Sequence, residues 1–438
     1  MATRTIQIFF LAVFAMAICP DQAQAYLDPG TGNLFVYLVV SLLGTAAFIL
    51  KGFGYKILKL MKDTTPGDAK SGGHDELVIF SEGKTYWYTF KPIIEALLEK
   101  GRPFTYLSMD IEDPALTIEN KLMASRYIGQ GSAAFARIAG FRTKVMLATT
   151  PNIGTPGYPL PRPTSVGCLA HVCHGTGGVD LYFRHSVDCY DAVLLASDIF
   201  EPSVRKLETL RGLPAKECPA LGLPMMDELS KQVKAAKKEE PVEKDGRRVI
   251  LMAPSWGEKG LLALDGGQQM ISLLLEAGHR VIFRPHPHSF KVELALLEEV
   301  FATYQNREGF EIDRELDSSR SMLRADLLIT DKSSVRFQFA FLYQKPVVTI
   351  DFPCFREGNY EAADLGYAWE DEVSAKIGPV AGKDDLGGIV VLAEQGLAWN
   401  KADLSSLRNS CLNNFGCAGP VIADWLIEKC DALAARTV

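Results

Sequence analysis

Two short runs late in the chain, DLLIT (326–330) and PVVTID (346–351), are apolar at consecutive rather than alternate positions. Strands that read this way are covered on both faces, as in a parallel sheet, and parallel neighbours need a helical crossover between them. The stretch between the runs has two readings. Val335, Phe337, Phe339 and Phe341 alternate like a half-buried strand, while Val335, Phe339 and Leu342 share a helical face. The crossover requirement selects the helix, expected over 334–343 with Asp331 or Ser333 as its cap.

The same punctuation recurs upstream. LVIFSEG, TYWYTFKPIIEALLEKG and FTYLSMD make a β-α-β unit from residue 77, with further strands at KVMLATT, CLAHVCH and AVLLAS. The charged stretch 229–248 reads as a solvated helix and linker. Alternation then restarts with RVILMAP, a helix near 267–278, RVIFRPH and a helix over 291–304. The expected architecture is α/β: an N-terminal domain over 77–228 and a C-terminal domain over 249–438, two Rossmann-like halves facing a cleft where strand ends meet. At 438 residues, 47% of them hydrophobic, the chain is long enough for two cores.

The first 76 residues read differently. Residues 1–25 have a cation at Arg4, an apolar stretch and small residues at Ala23 and Ala25, the pattern of a signal peptide or a first anchor. Residues 34–50 lack charge and are followed by Lys51, Lys56, Lys59 and Lys62, which fits a transmembrane helix with the remainder of the chain on the cytoplasmic side of the inner membrane. A buried or interfacial helix is the alternative for 34–50. Residues 51–76 are a basic juxtamembrane segment and tether.

A net charge of -7 argues against a protein that coats nucleic acid. The nine cysteines show no paired spacing of a zinc or redox site, and neither a metal nor a cofactor is expected.

Four stretches fall at the ends of expected strands, where an open α/β sheet places ligands. HVCHGTGG holds His171, His174, Thr176 and glycines that let backbone N–H groups approach an anion; His171 also reads as a core histidine, and His174 as an incidental turn residue. FRPHPHSF places Arg284, His286 and His288 at alternate positions, on one side of an extended segment and suited to an oxyanion, or else makes a solvated basic turn. TDKSS brings Thr330, Asp331, Lys332, Ser333 and Ser334 to a helix start, an anion site unless the serines only cap. APSWGEKG, with Ser255 and Trp256, is weak alone.

In this order, CHGTGG, GLPMMD, APSW, RPHP and TDKSS followed by QKPVV resemble the CDP-glycerol glycerophosphotransferase family of teichoic-acid primases and polymerases, whose motifs run W-H-G-T-P-x-K, G-Y-P-R-N-D, A-P-T-W, R-x-H-P and T-D-Y-S-S. The resemblance implies a glycosyltransferase-B fold, a CDP-glycerol or related CDP-polyol donor, no metal, and a lipid-linked glycan acceptor at the membrane. It gives His174 the role of general base. Arg284 and His286 would hold the diphosphate and assist the leaving group; Thr330, Asp331, Ser333 and Ser334 would bind phosphate, with Lys332, Thr176 and His288 as further candidates. The family lysine after H-G-T-P is absent, and Lys332 stands where the family has tyrosine. These departures leave two other readings open: a nucleotide-sugar glycosyltransferase of the same fold, or a non-catalytic, membrane-tethered nucleotide-binding module.

Overall fold

A computed structural model describes residues 74–239, 246–257, 260–264, 267–315, 317–351 and 359–435. The segments assigned to residues 1–25 and 34–50 lie outside the described residues, and of the 51–76 tether only a short turn, His74–Glu76, is described. Among the described residues no helix is long and apolar enough to cross a membrane.

Two six-stranded sheets, parallel throughout, organise the chain. The first holds β1 (Leu77–Ser81), β2 (Phe104–Ser108), β3 (Met123–Tyr127), β4 (Arg142–Ala148), β5 (Ser165–Val172) and β6 (Ala192–Leu194) in the order 3-2-1-4-5-6. The second holds β7 (Val249–Met252), β8 (Arg280–Phe283), β9 (Phe310–Ile312), β10 (Leu327–Thr330), β11 (Val347–Asp351) and β12 (Val380–Gly382) in the equivalent order, 9-8-7-10-11-12. Both are doubly wound orders in which the chain reverses direction beside the first strand and opens a crevice at the carboxyl ends. The continuous apolar runs are the reason: every residue of β1, β2, β7 and β10 is buried, which requires cover on both faces.

The helices that matter for the site are α1 (Trp87–Glu99), α2 (Pro224–Glu239), α3 (Val335–Tyr343), α4 (Trp369–Ile377) and α5 (Ala418–Ala435). The crossover between β10 and β11 is α3, one residue shorter at its start than expected, and buried nearly all round by Phe337, Phe339, Phe341 and Arg336. That burial explains the strand-like period: three phenylalanines occupy different faces because each face meets protein.

One apolar core is common to both halves, with Phe80, Leu169 and Val193 from the first and Leu251, Leu328 and Phe337 from the second. Two expectations change here. The stretch 229–248 is not solvated throughout, because α2 buries Ser230 and Val233 while lying against α1, α3 and the helix Ser319–Arg324. Nor does the second half keep everything to residue 438. The last helix, α5, returns to pack on α1 and β4, putting Ile422, Ala423, Leu426 and Cys430 into the first sheet's outer core.

The GLPMMD stretch forms the joint for that return. Asp227 accepts hydrogen bonds from Gly416 N (2.8 Å) and Gly419 N (3.0 Å) at the start of α5, and Gly222, at φ +98°, leaves no room for a Cβ, which would sit 2.3 Å from the Asn413 carbonyl oxygen.

Candidate active site

The first half contributes a loop that follows β5. His174 is half-buried between two tyrosines, edge-on to Tyr86 (ring centroids 5.0 Å apart) and stacked on Tyr182 (5.6 Å). Burial lowers its pKa below the ordinary histidine value, so at neutral pH the ring is an uncharged proton acceptor. Thr176, beside it, is buried with its hydroxyl unpartnered. The glycines that follow answer to packing: a Cβ on Gly177 would meet Leu181 at 2.4 Å and Trp369 at 3.3 Å, and one on Gly178 would meet Asp180 at 2.6 Å. His171 is the core histidine of β5, fully buried, with its pKa pushed down to about 3 by desolvation and Nε2 3.3 Å from the Tyr182 hydroxyl.

In the second half the expected convergence of Arg284, His286 and His288 does not form. Pro285 and Pro287 hold a turn instead of an extended segment: Ser289 N donates to the His286 carbonyl, and His288 has helical backbone. Arg284 turns to the neighbouring strand end and pairs with Asp313 at 2.6 Å. His286 and His288 gather instead with Trp256, their ring centroids 6.2 and 4.9 Å from its own. The weak APSW stretch thereby joins the site, with Trp256 40% exposed as a flat aromatic surface.

The TDKSS residues separate into two groups. Thr330 is fully buried and its hydroxyl donates to the Ala253 carbonyl (2.6 Å), while the buried carboxylate of Asp331 accepts from Ser255 N, the Ser255 hydroxyl and Leu261 N (3.2 Å). Both therefore hold the β7 loop against β10, and the expectation that they bind phosphate is corrected: the one donor is engaged and the other group is an anion. Ser333 and Ser334 remain. Ser334 precedes α3 without a side-chain cap bond, Asp331 and Ser333 do not cap the helix as expected, and both serines are accessible to solvent. Lys332 is held by Asp351 and Asp371, each at 2.9 Å.

Three consecutive residues at the head of α4, absent from the sequence-based candidates, link the two loops. Trp369 N donates to Asp180 (2.8 Å), Glu370 pairs with fully buried Arg336 of α3 (2.5 Å), and Asp371 takes Lys332. The Trp369 ring touches Phe200 of the first half and Phe337 of the second. Sequence reasoning also missed Glu82 after β1, whose pKa is raised by burial. Its position after the apolar run LVIFS was the available signal. Among the described residues no three His, Cys, Asp or Glu side chains gather as a metal site would need.

Comparison with known proteins supplies the rest. A search of curated proteins finds no match. Among solved structures, a wall teichoic acid polymerase, TagF, soaked with CDPG, aligns with a TM-score of 0.52 at 15% identity, covering 90% of this chain and 97% of that one. The UDP-GlcNAc 2-epimerase from Methanocaldococcus jannaschii aligns at 0.53 and 16% identity, covering 80% and 99%. The epimerase from Neisseria meningitidis bound to UDP-GlcNAc aligns at 0.51 and 12%, covering 80% and 99%. Likeness at these identities concerns the fold, which is that of the two-sheet glycosyltransferase-B type. The family model described as CDP-Glycerol:Poly(glycerophosphate) glycerophosphotransferase matches residues 179–354, a stretch that includes RPHP and TDKSS but begins after His174. The resemblance read from the ordered motifs agrees with that match: residues 179–354 are similar to the CDP-glycerol glycerophosphotransferase family, on a scaffold of the glycosyltransferase-B type.

Proposed function

We propose that the protein moves glycerol phosphate, or a similar polyol phosphate, from a CDP-activated donor to a hydroxyl of a lipid-linked or cell-envelope glycan, releasing CMP. The family match over residues 179–354 carries this reading. In the step itself the acceptor oxygen forms a bond to the donor's polyol-bearing phosphorus as the bond from that phosphorus to the CMP oxygen breaks. The acceptor proton passes to neutral His174, and CMP leaves with the electron pair. Phosphoryl transfer of this kind asks mainly for in-line positioning and fixed partial positive charge. The hydroxyls of Ser333 and Ser334 would supply that charge to the diphosphate together with the positive end of the α3 dipole. His286 would stabilise the leaving phosphate, and Trp256 offers its ring to the cytosine.

A membrane anchor over residues 34–50, with the catalytic halves on the cytoplasmic side, would hold the site beside a lipid-linked acceptor. Incubating the detergent-solubilised chain with CDP-glycerol and a lipid-linked saccharide should release CMP. Failure to release CMP with any acceptor, together with stronger thermal stabilisation by UDP-sugars than by CDP-glycerol, would replace this donor by a nucleotide sugar.

A further inference from the structure

Residues 359–369 follow β11 in the second half, yet they are bonded along their length to the first. The Asn359 carbonyl accepts from Arg184 N (3.0 Å) and Glu361 N donates to the Tyr182 carbonyl (2.9 Å), a short antiparallel bridge across which Phe183 and Tyr360 stack at 4.8 Å. The fully buried carboxylate of Glu361 accepts from Ser186 N (3.1 Å), from the Ser186 hydroxyl (3.2 Å) and from both terminal nitrogens of Arg211. Arg211 also pairs with Asp188 of the first half and Asp364 of the strap, each at 2.7 Å, and Arg184 pairs with Asp364 at 2.8 Å. A buried carboxylate is tolerated where it is paired and hydrogen-bonded throughout, so Glu361 commits the strap to the stretch 182–186.

That stretch carries one wall of the candidate site. Tyr182 stacks on His174, and its hydroxyl lies 3.3 Å from His171 Nε2. A histidine base is ordinarily oriented by a hydrogen bond at its second nitrogen. Among the described residues no side chain makes that bond to the buried Nδ1 of His174, which leaves the rings of Tyr86 and Tyr182 to fix its orientation.

We propose that Glu361 is a positioning residue for His174: through it the strap from the second half anchors Tyr182, and Tyr182 sets the angle of the base. The base of one half is thus aligned by a segment of the other. The proposal rests on the transferase reading above, in which His174 takes the acceptor proton.

The full chain in detergent is followed in two ways: by the imidazole C–H resonance of His174 without donor, and by CMP release from CDP-glycerol. Glu361→Gln keeps the side-chain shape and leaves Arg211 its pairs with Asp188 and Asp364. It should move the His174 resonance toward its position in Tyr182→Ala and lower kcat about 10-fold, with KM for CDP-glycerol changed less than about twofold. Ser186→Ala, which removes one donor from the cluster, should move both in the same direction by less, and it decides the matter if Glu361→Gln does not fold. Glu361→Gln combined with Tyr182→Ala should be no slower than Tyr182→Ala by more than about twofold, whereas independent effects would multiply. A resonance that neither variant moves, effects that multiply, or a loss confined to KM overturns the proposal. A resonance that moves as expected in a chain that releases no CMP upholds the positioning of His174 and removes the transferase reading instead.

Discussion

The loop after β5 and the loop after β10 both follow strands at the carboxyl edge of their sheets, yet the groups they gather are opposite in kind. Around His174 the protein gathers neutral and unpartnered groups: a histidine kept uncharged by burial, two tyrosine rings and an orphaned threonine hydroxyl. Around Ser333 it gathers cations and pairs them with its own acids, Lys332 with Asp351 and Asp371 and Arg336 with Glu370, as Arg284 pairs with Asp313 beyond β7. What faces solvent there is two serines and an uncapped helix end. An anion bound there would rest on oriented dipoles more than on point charges, while the charged residues hold the loop in place.

The largest effect that would break this comparison is expected in the framework. Arg336→Met leaves Glu370 buried without its partner and should cost roughly 3–5 kcal/mol in denaturant unfolding, whereas Arg336→Met combined with Glu370→Leu should recover most of the loss. A double variant as unstable as the single one would mean that the pair does more than neutralise itself.

Next is His174→Ala, expected to lower CMP release about 100-fold or more if the ring is the base. Only the neutral ring accepts a proton, and burial holds its pKa below 6.5, so the acid limb of kcat/KM in wild type should lie below pH 6.5 and disappear in the variant. A limb above that value would show that the ring is more solvated than its surroundings imply.

Removing both hydroxyls with Ser333→Ala and Ser334→Ala should raise the KM for CDP-glycerol about 10-fold, with folding stability changed by less than about 0.5 kcal/mol because neither side chain caps α3. Lys332→Met should have the smallest effect, less than about threefold on the same KM, since its ammonium is already shared by two carboxylates. A tenfold rise would place the ammonium on the donor and make the second loop a charge-based site after all.

Legibility in the sequence followed burial. Interior strands such as LVIFS and LLIT were plain because cover on both faces demands unbroken apolar runs. The strands that went unread, β3, β9 and β12, lie at sheet edges, half-exposed and as short as three residues in β9 and β12. His174, Ser333 and Ser334 were selected because strand ends followed by small or polar residues mark an α/β crevice. Thr330 and Asp331 were misplaced because the same position serves equally to tie one loop to another.

The chain by itself determined two doubly wound halves, the helical crossover at 335–343 and the ordered motifs that resemble one family, since each depends on residue order and local period. Tertiary structure decided which polar groups remain for a ligand. Whether Arg284 meets a phosphate or Asp313, and whether Glu82 stands beside Thr150, depends on register between strands far apart in sequence. The same holds for the last helix, which leaves the second half because Asp227, nearly 200 positions earlier, accepts its first N–H groups.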